Sequence, residues 1–246
     1  MDPVRFSTIA HRNHRFCSPL SEATVERALD PLALTAGQRT LDVGCGRGEM
    51  LLRVLERYPV SGVGVDPNRD FLAEAQRRAT QRGLAERVEL RPCRIAETRF
   101  PAAHFDFAMA VGSTHAFQGL EPALEGLRHL ITTGGKMLVG EGYWKSDPDP
   151  GYLSVLGGTR EEFTDHAGNI RAGTDRGLTL IDSWISSEQE WDEYEDLYAR
   201  TIERHLVEFP DDPDRVAMKE RIERWQDGYR RWGRDTLGFG LYLFGT

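Results

Sequence analysis

The chain has 246 residues, of which 39% are hydrophobic and 28% charged, a balance that suits one α/β domain with a substantial core. Its formal net charge of −8 argues against a nucleic-acid-binding protein, which would present a basic face to the phosphates. No apolar stretch approaches the roughly 18 residues that a membrane span needs, and residues 1–5 lack a secretion signal, so we expect a cytoplasmic protein without membrane contacts.

Strand and helix patterns alternate through the first 142 residues. We predict helices at residues 18–34, 49–58, 69–81 and 120–130, from apolar residues at helical spacing and from capping residues. We predict strands at residues 38–43, 62–65, 88–90, 105–111 and 136–140, the last preceded by a turn at residues 133–135. This alternation predicts a parallel sheet with helices on both faces.

The composition changes after Gly142, because all five tryptophans and six of the seven tyrosines lie beyond it. A capping-box pattern at residues 159–162 predicts another helix start, and a sixth strand is predicted at residues 178–185. Two amphipathic helices follow, the second beginning at Asp212 and Pro213, and residues 239–244 form a last strand. We therefore predict a doubly wound, mostly parallel seven-stranded α/β sheet with a helical cap, at about residues 188–233, inserted before the last strand.

A glycine-rich loop follows the first strand, in the segment Leu41-Asp-Val-Gly-Cys-Gly-Arg-Gly48. Closely spaced glycines let the backbone approach a ligand, and the start of the next helix offers N–H groups to an anionic group. Asp66 ends the next strand, where an acid about 20 residues beyond such a loop accepts the hydroxyls of a ribose. These features predict a ligand that contains a nucleoside.

The spacing separates two kinds of nucleoside ligand. A nicotinamide dehydrogenase prefers G-x-G-x-x-G, whereas the third glycine here comes one residue early, and Asp42 would repel a pyrophosphate. Asp42 suits a ligand that carries a cationic amino group and a sulfonium. The segment 41–48 resembles the first motif of class I S-adenosylmethionine-dependent methyltransferases, and residues 62–66 resemble the second. The resemblance covers residues 38–141 and is closest to small-molecule methyltransferases with a ubiquinone-methylating type of domain.

The resemblance implies which residues contact S-adenosylmethionine and, after transfer, S-adenosylhomocysteine. These are Asp42, Gly44, Cys45, Gly46, Asp66, Pro67, Arg94, Ile95 and Val111, with Asn68 beside the ribose or adenine. Family members often carry an acid after the third strand for the adenine amino group. Arg94 occupies that position here, so the backbone of Arg94 and Ile95, or the side chain of Glu97, would serve instead. No metal is expected, and Cys17, Cys45 and Cys93 have spacings that predict neither a zinc site nor disulfides.

In this family the acceptor approaches over the ends of strands four and five, here residues 111–115 and 141–144. Methyl transfer from a sulfonium depends mainly on alignment, and a base is needed only when the acceptor arrives protonated. His115 is the candidate base, because imidazole titrates near neutrality, with a packing role as the alternative. Glu141 and Tyr143 are candidates for orienting the acceptor, and His166 is a weaker one.

We predict a single methyltransferase domain over residues 1–246. An N-terminal lid or helix would span residues 1–35, the cofactor-binding core residues 36–142, and the acceptor-side half residues 143–246. Its aromatic residues either pack the helices or line a pocket for a planar or cationic small molecule, while the basic residues 11–15 suit a carboxylate-bearing one. A methyltransferase of protein or RNA, and a catalytically silent cofactor-binding module, are the alternatives. The sequence leaves the acceptor and the oligomeric state open.

Overall fold

Seven strands form one sheet, in the order β3-β2-β1-β4-β5-β7-β6. The computed structural model describes residues 1–246. The strands are Arg39–Val43 (β1), Ser61–Val65 (β2), Val88–Arg91 (β3), Phe105–Val111 (β4), Ile131–Trp144 (β5), Thr179–Ile185 (β6) and Leu237–Gly245 (β7). The β1–β2, β2–β3, β1–β4 and β4–β5 pairs are parallel, and β6 pairs with β7 antiparallel. The predicted doubly wound, mostly parallel seven-stranded sheet is confirmed.

The chain reverses its direction of travel across the sheet between β1 and β4. From β1 it proceeds through β2 to β3 on one side, and β4 and β5 are then added on the other side of β1. At such a switch point the connections after neighbouring strands diverge and open a crevice outside the carboxyl ends of the strands. The glycine-rich loop follows β1, so the topology places it at this crevice.

The helix bounds predicted from apolar periodicity agree best with the structure for the longer helices. They span Pro3–Ala10 (α1), Glu22–Leu29 (α2), Glu49–Arg57 (α3), Arg69–Gln81 (α4), Leu120–Leu130 (α5), Pro150–Leu156 (α6), His166–Thr174 (α7), Glu188–Glu208 (α8), Arg215–Gly228 (α9) and Arg234–Thr236 (α10), with a π-helical turn at Tyr229–Gly233. The predicted bounds of α4 and α5 agree with the structure, whereas α1 and α6 were not predicted. Each of those two helices starts at a proline behind an aspartate cap.

Four local predictions were wrong in their extent. The helix at residues 18–34 is reduced to α2 and a 3₁₀ turn, Asp30–Leu32, which ends at Ala33 in the left-handed region, with φ of +52°. The capping-box pattern at residues 159–162 gives only the 3₁₀ turn Arg160–Glu162, because Phe163 is extended, and α7 begins at His166. The predicted turn at residues 133–135 is an irregularity inside β5, where Gly134 has φ of +78°.

The predicted start of the second amphipathic helix was also wrong, since α9 begins at Arg215. Asp212 does not cap the helix with its side chain; its Oδ2 accepts hydrogen bonds from Arg5, at 2.5 Å, and from His205 Nε2, at 2.8 Å. Its Oδ1 accepts from the N–H of Asp214. These contacts hold the pKa of Asp212 well below its usual range. The aspartate therefore ties α1 to the loop between α8 and α9.

Two compact units make up the chain. The first comprises residues 1–21, 143–165 and 186–238, and the second comprises residues 22–142, 166–185 and 239–246. In the first unit, α1, α8 and α9 bury a shared apolar cluster of Phe6, Ile9, Ala10, Ala199, Ile202, Leu206, Met218 and Ile222. The second unit contains the sheet, whose core includes fully buried Leu41, Phe105 and Met137. No helix is long and apolar enough to cross a membrane.

Candidate functional site

Three successive amides of the glycine-rich loop are tied to the end of β2. The carbonyl of Val65 accepts the N–H of Gly44, at 2.8 Å, and of Cys45, at 3.2 Å. Oδ2 of Asp66 accepts the N–H of Gly46 at 2.9 Å. Gly44 and Gly46 have φ of +69° and +51°, in the left-handed region that favours glycine. The loop is thereby held in a fixed shape without using any side chain of its own.

Ser113 fixes the other side of this loop, and sequence reasoning missed it. Its Oγ donates to the carbonyl of Val43 at 2.5 Å, which fastens the connection after β4 to the end of β1. A Cβ on Gly44 would overlap the Cβ of Ser113 and lie 2.9 Å from its Oγ. A serine after a strand belongs to no motif, so only the packing identifies its role.

Asp42 is a buried carboxyl group with unused hydrogen-bonding capacity. It lies on β1 beside the loop, is 3% exposed, and no donor reaches its Oδ2. Burial, and to a smaller extent the charge of Asp66, raises the pKa of Asp42 to about 8. An isolated buried carboxylate is costly unless a cation or hydrogen-bond donors satisfy it. The amino group of S-adenosylmethionine is such a cation, so the residues present fit this cofactor.

Asp66 organises the turn after β2. In addition to the bond from Gly46, its Oδ1 accepts the N–H of Asn68 at 2.7 Å. Burial raises its pKa, while the two amide hydrogen bonds and the positive charge of His115 act in the opposite direction. Each oxygen of the Asp66 carboxylate can accept a further hydrogen bond, which is the capacity that the predicted contact with ribose hydroxyls requires. Asn68 has a structural role as well, because its side chain accepts from Asp70 N and Phe71 N and caps α4.

Cys45 packs tightly against β2. A Cβ on Gly64 would lie 2.8 Å from its Sγ, so the glycine on β2 makes room for the thiol. Cys45 is buried, and burial followed by the charges of Asp42 and Asp66 raises the pKa of the thiol. Its thiol is therefore a neutral group that fills space between the loop and the sheet. Pro67 follows Asp66 and is exposed.

The segment after β3 forms a short 3₁₀ turn, Ile95–Glu97, in place of the acid that family members often carry. Arg94 is exposed, and its N–H donates to Oε2 of Glu97 at 3.2 Å. Ile95 is buried in the core of the second unit. The carboxylate of Glu97 thus lies at the turn that was predicted to meet adenine, where it caps a backbone amide.

His115 stands in the 3₁₀ turn Thr114–Phe117, directly after β4. The side chain is exposed, and it lies close enough to Asp66 for its positive charge to lower the pKa of that carboxyl group. Val111, the last residue of β4, is half-buried and pairs with Gly140 of β5. The structure thus brings His115 and Val111 to the same end of the sheet as the glycine-rich loop.

Glu141 is buried near the end of β5, and its Oε1 accepts the N–H of Gly142 at 3.1 Å. Asn169 supports this position, since its Nδ2 donates to the carbonyl of Gly142, at 2.9 Å, and to the hydroxyl of Tyr242, at 3.1 Å. His166 Nδ1 lies 3.1 Å from the same hydroxyl. The weaker candidate His166 therefore shares the hydroxyl of Tyr242 with Asn169. Sequence reasoning missed both Asn169 and Tyr242, which are buried.

Tyr143 belongs to the first compact unit, unlike the other candidate residues, which all belong to the second. Its ring lies over Gly238, where a Cβ would overlap it, and burial raises the pKa of its hydroxyl. No group of three or more His, Cys, Asp or Glu side chains in the structure could hold a metal ion.

Comparisons with known proteins place these features in a family. A family model described as a methyltransferase domain matches residues 40–135, the segment that carries the glycine-rich loop, Asp66 and His115. The uncharacterised protein YjhP of Escherichia coli is 30% identical over 98% of both chains, and its crystal structure matches with a TM-score of 0.90.

Two further proteins carry a stated activity. A methyltransferase from Geobacter sulfurreducens, solved in complex with S-adenosylhomocysteine, is 27% identical, with a TM-score of 0.89 over 98% of this chain and 97% of that one. The 27-O-demethylrifamycin SV methyltransferase of Amycolatopsis mediterranei is 29% identical over 50% of this chain and 46% of that protein. The chain belongs to the class I S-adenosylmethionine-dependent methyltransferases and uses S-adenosylmethionine as its cofactor.

Proposed function

We propose that the enzyme methylates a small-molecule acceptor at an oxygen, nitrogen, sulfur or carbon nucleophile. Bound S-adenosylmethionine supplies a methyl group whose bond to sulfur breaks as the bond to the acceptor forms, leaving the electron pair on the sulfur of S-adenosylhomocysteine. The protein's own contribution is to hold, orient and desolvate the two reactants.

The observation that carries the cofactor assignment is the buried carboxyl group of Asp42, whose Oδ2 has no donor, beside the rigid glycine-rich loop. In the proposal Asp42 receives the amino group, the start of α3 faces the carboxylate, and Asp66 accepts the ribose hydroxyls. The remaining contacts are assigned to the loop and to the turns after the strands, at Gly44, Cys45, Gly46, Pro67, Arg94, Ile95 and Val111.

His115 is assigned the role of base for an acceptor that arrives with a proton on its nucleophile. Its exposed imidazole would take that proton as the bond to the methyl group forms, and would release it to water. Glu141 and Tyr143 are assigned to orienting the acceptor, with residues 143–246 supplying its binding groups.

The small-molecule part of the proposal has separate support. A net charge of −8 disfavours RNA, and the residues after Gly142 hold aromatic side chains of the kind that line pockets for small ligands. The similarity to a rifamycin methyltransferase over half of this chain favours the same class of acceptor.

A methyl-transfer screen tests the proposal. The protein is incubated with S-adenosylmethionine labelled in the methyl group and a bacterial lysate, which is then separated into small molecules, protein and RNA. Label is expected in the small-molecule fraction, where mass spectrometry identifies the product.

Two variants control the screen. Asp66→Ala should lower cofactor affinity about tenfold to a hundredfold by calorimetry, because charge-assisted hydrogen bonds are lost, whereas exposed Asp70→Ala should leave it unchanged. Label in protein or RNA would refute the small-molecule acceptor, and cofactor binding without any labelled product would favour a silent binding module.

A further inference from the structure

Glu195 is a buried carboxyl group in the first compact unit without a cationic partner. It lies on α8 and is 5% exposed. The indole Nε1 of Trp225, on α9, donates to its Oε2 at 2.7 Å, and no Lys, Arg or His forms an ion pair with it. Glu49, the other buried acid that lies on a helix, is paired with Arg53, Arg78 and Arg82. Glu195 is therefore a buried carboxyl group whose negative charge, when the group is ionised, is not paired with a cationic side chain.

The surroundings of Glu195 are aromatic. Tyr152, Tyr194, Tyr198 and Tyr229 lie close enough for its negative charge to raise the pKa of each phenol further than burial alone does. With Trp225 these residues define the Glu195 cluster. The rings of Tyr194 and Tyr198 lie 6.2 Å apart at an interplanar angle of 26°, and Tyr198 and Trp225 lie 6.3 Å apart. All six residues belong to the first unit.

Two features extend this environment. Trp191 stacks on Tyr229, with ring centroids 6.4 Å apart at 22°, and its own indole N–H is buried without an acceptor. On the other side, His11 Nε2 lies 2.8 Å from the hydroxyl of Tyr194, and His14 Nε2 lies 3.0 Å from the carbonyl of the same residue. The histidines of the basic segment at residues 11–15 therefore pack against the aromatic residues.

A purely structural role explains the cluster poorly. If Glu195 only accepted the hydrogen bond from Trp225, a glutamine would serve equally well without the cost of burying an ionisable group. Electron-rich faces of Tyr and Trp attract cations, and an ionised carboxyl group among them adds a negative charge. Burial raises the pKa of Glu195 to about 7, and a cation bound beside it favours the ionised form. Tyrosine and tryptophan rings grouped with one buried carboxyl group have the chemical composition that suits an ammonium group, alkylated or not.

We propose that the Glu195 cluster binds the ammonium group of the acceptor, so that the substrate is an amine-bearing small molecule. The assignment rests on the proposed function, because it gives a substrate class to the same enzyme. It also narrows the acceptor from the planar, cationic or carboxylate-bearing molecules that the sequence leaves open to the cationic class.

Equilibrium binding tests the charge requirement without knowing the acceptor. Choline is used as the cationic probe and 3,3-dimethylbutan-1-ol as its neutral isostere, each titrated by calorimetry with and without S-adenosylhomocysteine. Wild-type protein is expected to bind choline at least about tenfold more tightly than the isostere, because only the cation gains the interaction with carboxylate and rings. Equal affinities, or no binding of choline, would overturn the proposal.

Two variants locate the site. Glu195→Gln keeps an acceptor for Trp225 and removes the charge, so it should lose the preference for choline. Glu193→Gln removes a charge from the exposed face of the same helix and should retain it. A preference that persists in Glu195→Gln would place the cation elsewhere and refute the assignment. Binding of S-adenosylhomocysteine is measured in every sample, and its failure in wild type would count against the proposed function, whatever the choline result. Equal affinities of wild type for choline and its isostere would overturn the proposal even if Glu195→Gln does not fold.

Discussion

In the proposed site, Asp42 couples binding of the cofactor to the release of a proton. With its pKa raised to about 8, the carboxyl group is mostly protonated at pH 7 in the ligand-free protein. A cationic amino group requires the carboxylate, so binding at pH 7 should release most of a proton, and affinity should rise as the pH is raised toward 8. Calorimetry in two buffers with different ionisation enthalpies measures this release. Asp42→Asn should release none and bind more weakly.

The same shift has a consequence for stability. A carboxyl group that holds its proton more tightly when folded contributes stability at low pH that is lost as the pH rises through about 8. Ligand-free wild type should therefore lose stability relative to Asp42→Asn as the pH rises from about 4 to about 8, and the difference should level off above that range. Asp70→Asn, which changes an exposed acid, should follow wild type in both experiments. Tight cofactor binding at pH 7 without proton release would show that Asp42 does not meet the amino group.

His115 offers a test of whether the enzyme uses a base. With an acceptor from the labelling screen, His115→Asn should lower kcat by about 10²–10⁴-fold, the range typical of losing a general base, while cofactor affinity stays the same. His129→Asn, at an exposed histidine on α5, is the matched control. An unchanged kcat in His115→Asn would leave alignment as the main catalytic device.

At the scale of structural elements, the conformation of the glycine-rich loop depends on two properties of Gly44. One is its positive φ, and the other is the lack of room for a side chain beside Ser113. Gly44→Ala places a Cβ against Ser113 at a φ of +69°, so it should cost at least about 2 kcal/mol of unfolding free energy and abolish binding of S-adenosylhomocysteine. Gly37→Ala separates the two effects. Its φ is +87° and no atom lies within 4 Å of the new Cβ, so only the strain of about 1–2 kcal/mol remains and binding should persist.

Urea unfolding and calorimetry on the two alanine variants make this comparison. Equal losses of stability, with cofactor binding intact in both, would mean that the contact with Ser113 does not shape the loop.

The success of sequence reasoning also varies from element to element. Long periodic segments such as α4 and α5 were predicted with their bounds, because every turn of the helix repeats the same pattern. The short helices α1 and α6 have too few turns for such a repeat. Asp42 and Asp66, the acids proposed to meet the cofactor, were predicted because a motif fixes their spacing. Ser113 acts through packing that no spacing records.

Glu195 was overlooked for a different reason, although the sequence holds a signal. The sequence predicts an amphipathic helix here, and Trp191, Tyr194, Tyr198 and Ile202 lie at helical spacing along it. Glu195 lies four residues after Trp191 and three before Tyr198, on the same face. An acid inside an aromatic stripe departs from the alternation of apolar and polar faces, and such a departure marks a functional site more often than a packing one.

At the scale of the whole molecule, the family and the fold could be predicted from residues 36–142, which carry the family motifs. The acceptor could not be predicted, because its binding groups are assigned to residues 143–246, where no motif was found. The motifs describe a ligand common to a large family, so they recur in sequence. Acceptor sites differ between members, and only the three-dimensional grouping of Glu195 with tyrosines from α6, α8 and the π-helical turn after α9 points to one here.

The position of β7 in the sheet also bears on how the protein folds. β6 pairs with β7, and the chain passes through residues 186–236 before β7 returns to lie between β5 and β6. β6, the edge strand, thus has no partner until the segment at residues 186–236 has closed into a loop. The entropy lost on closing this loop opposes the β6–β7 pairing, so the pairing forms late. We expect the five parallel strands to assemble first and β6 to join in a later kinetic phase. Before β6 pairs, the partly folded chain would expose Ile181 and Ile185 on an unpaired strand, and such an intermediate is prone to aggregation.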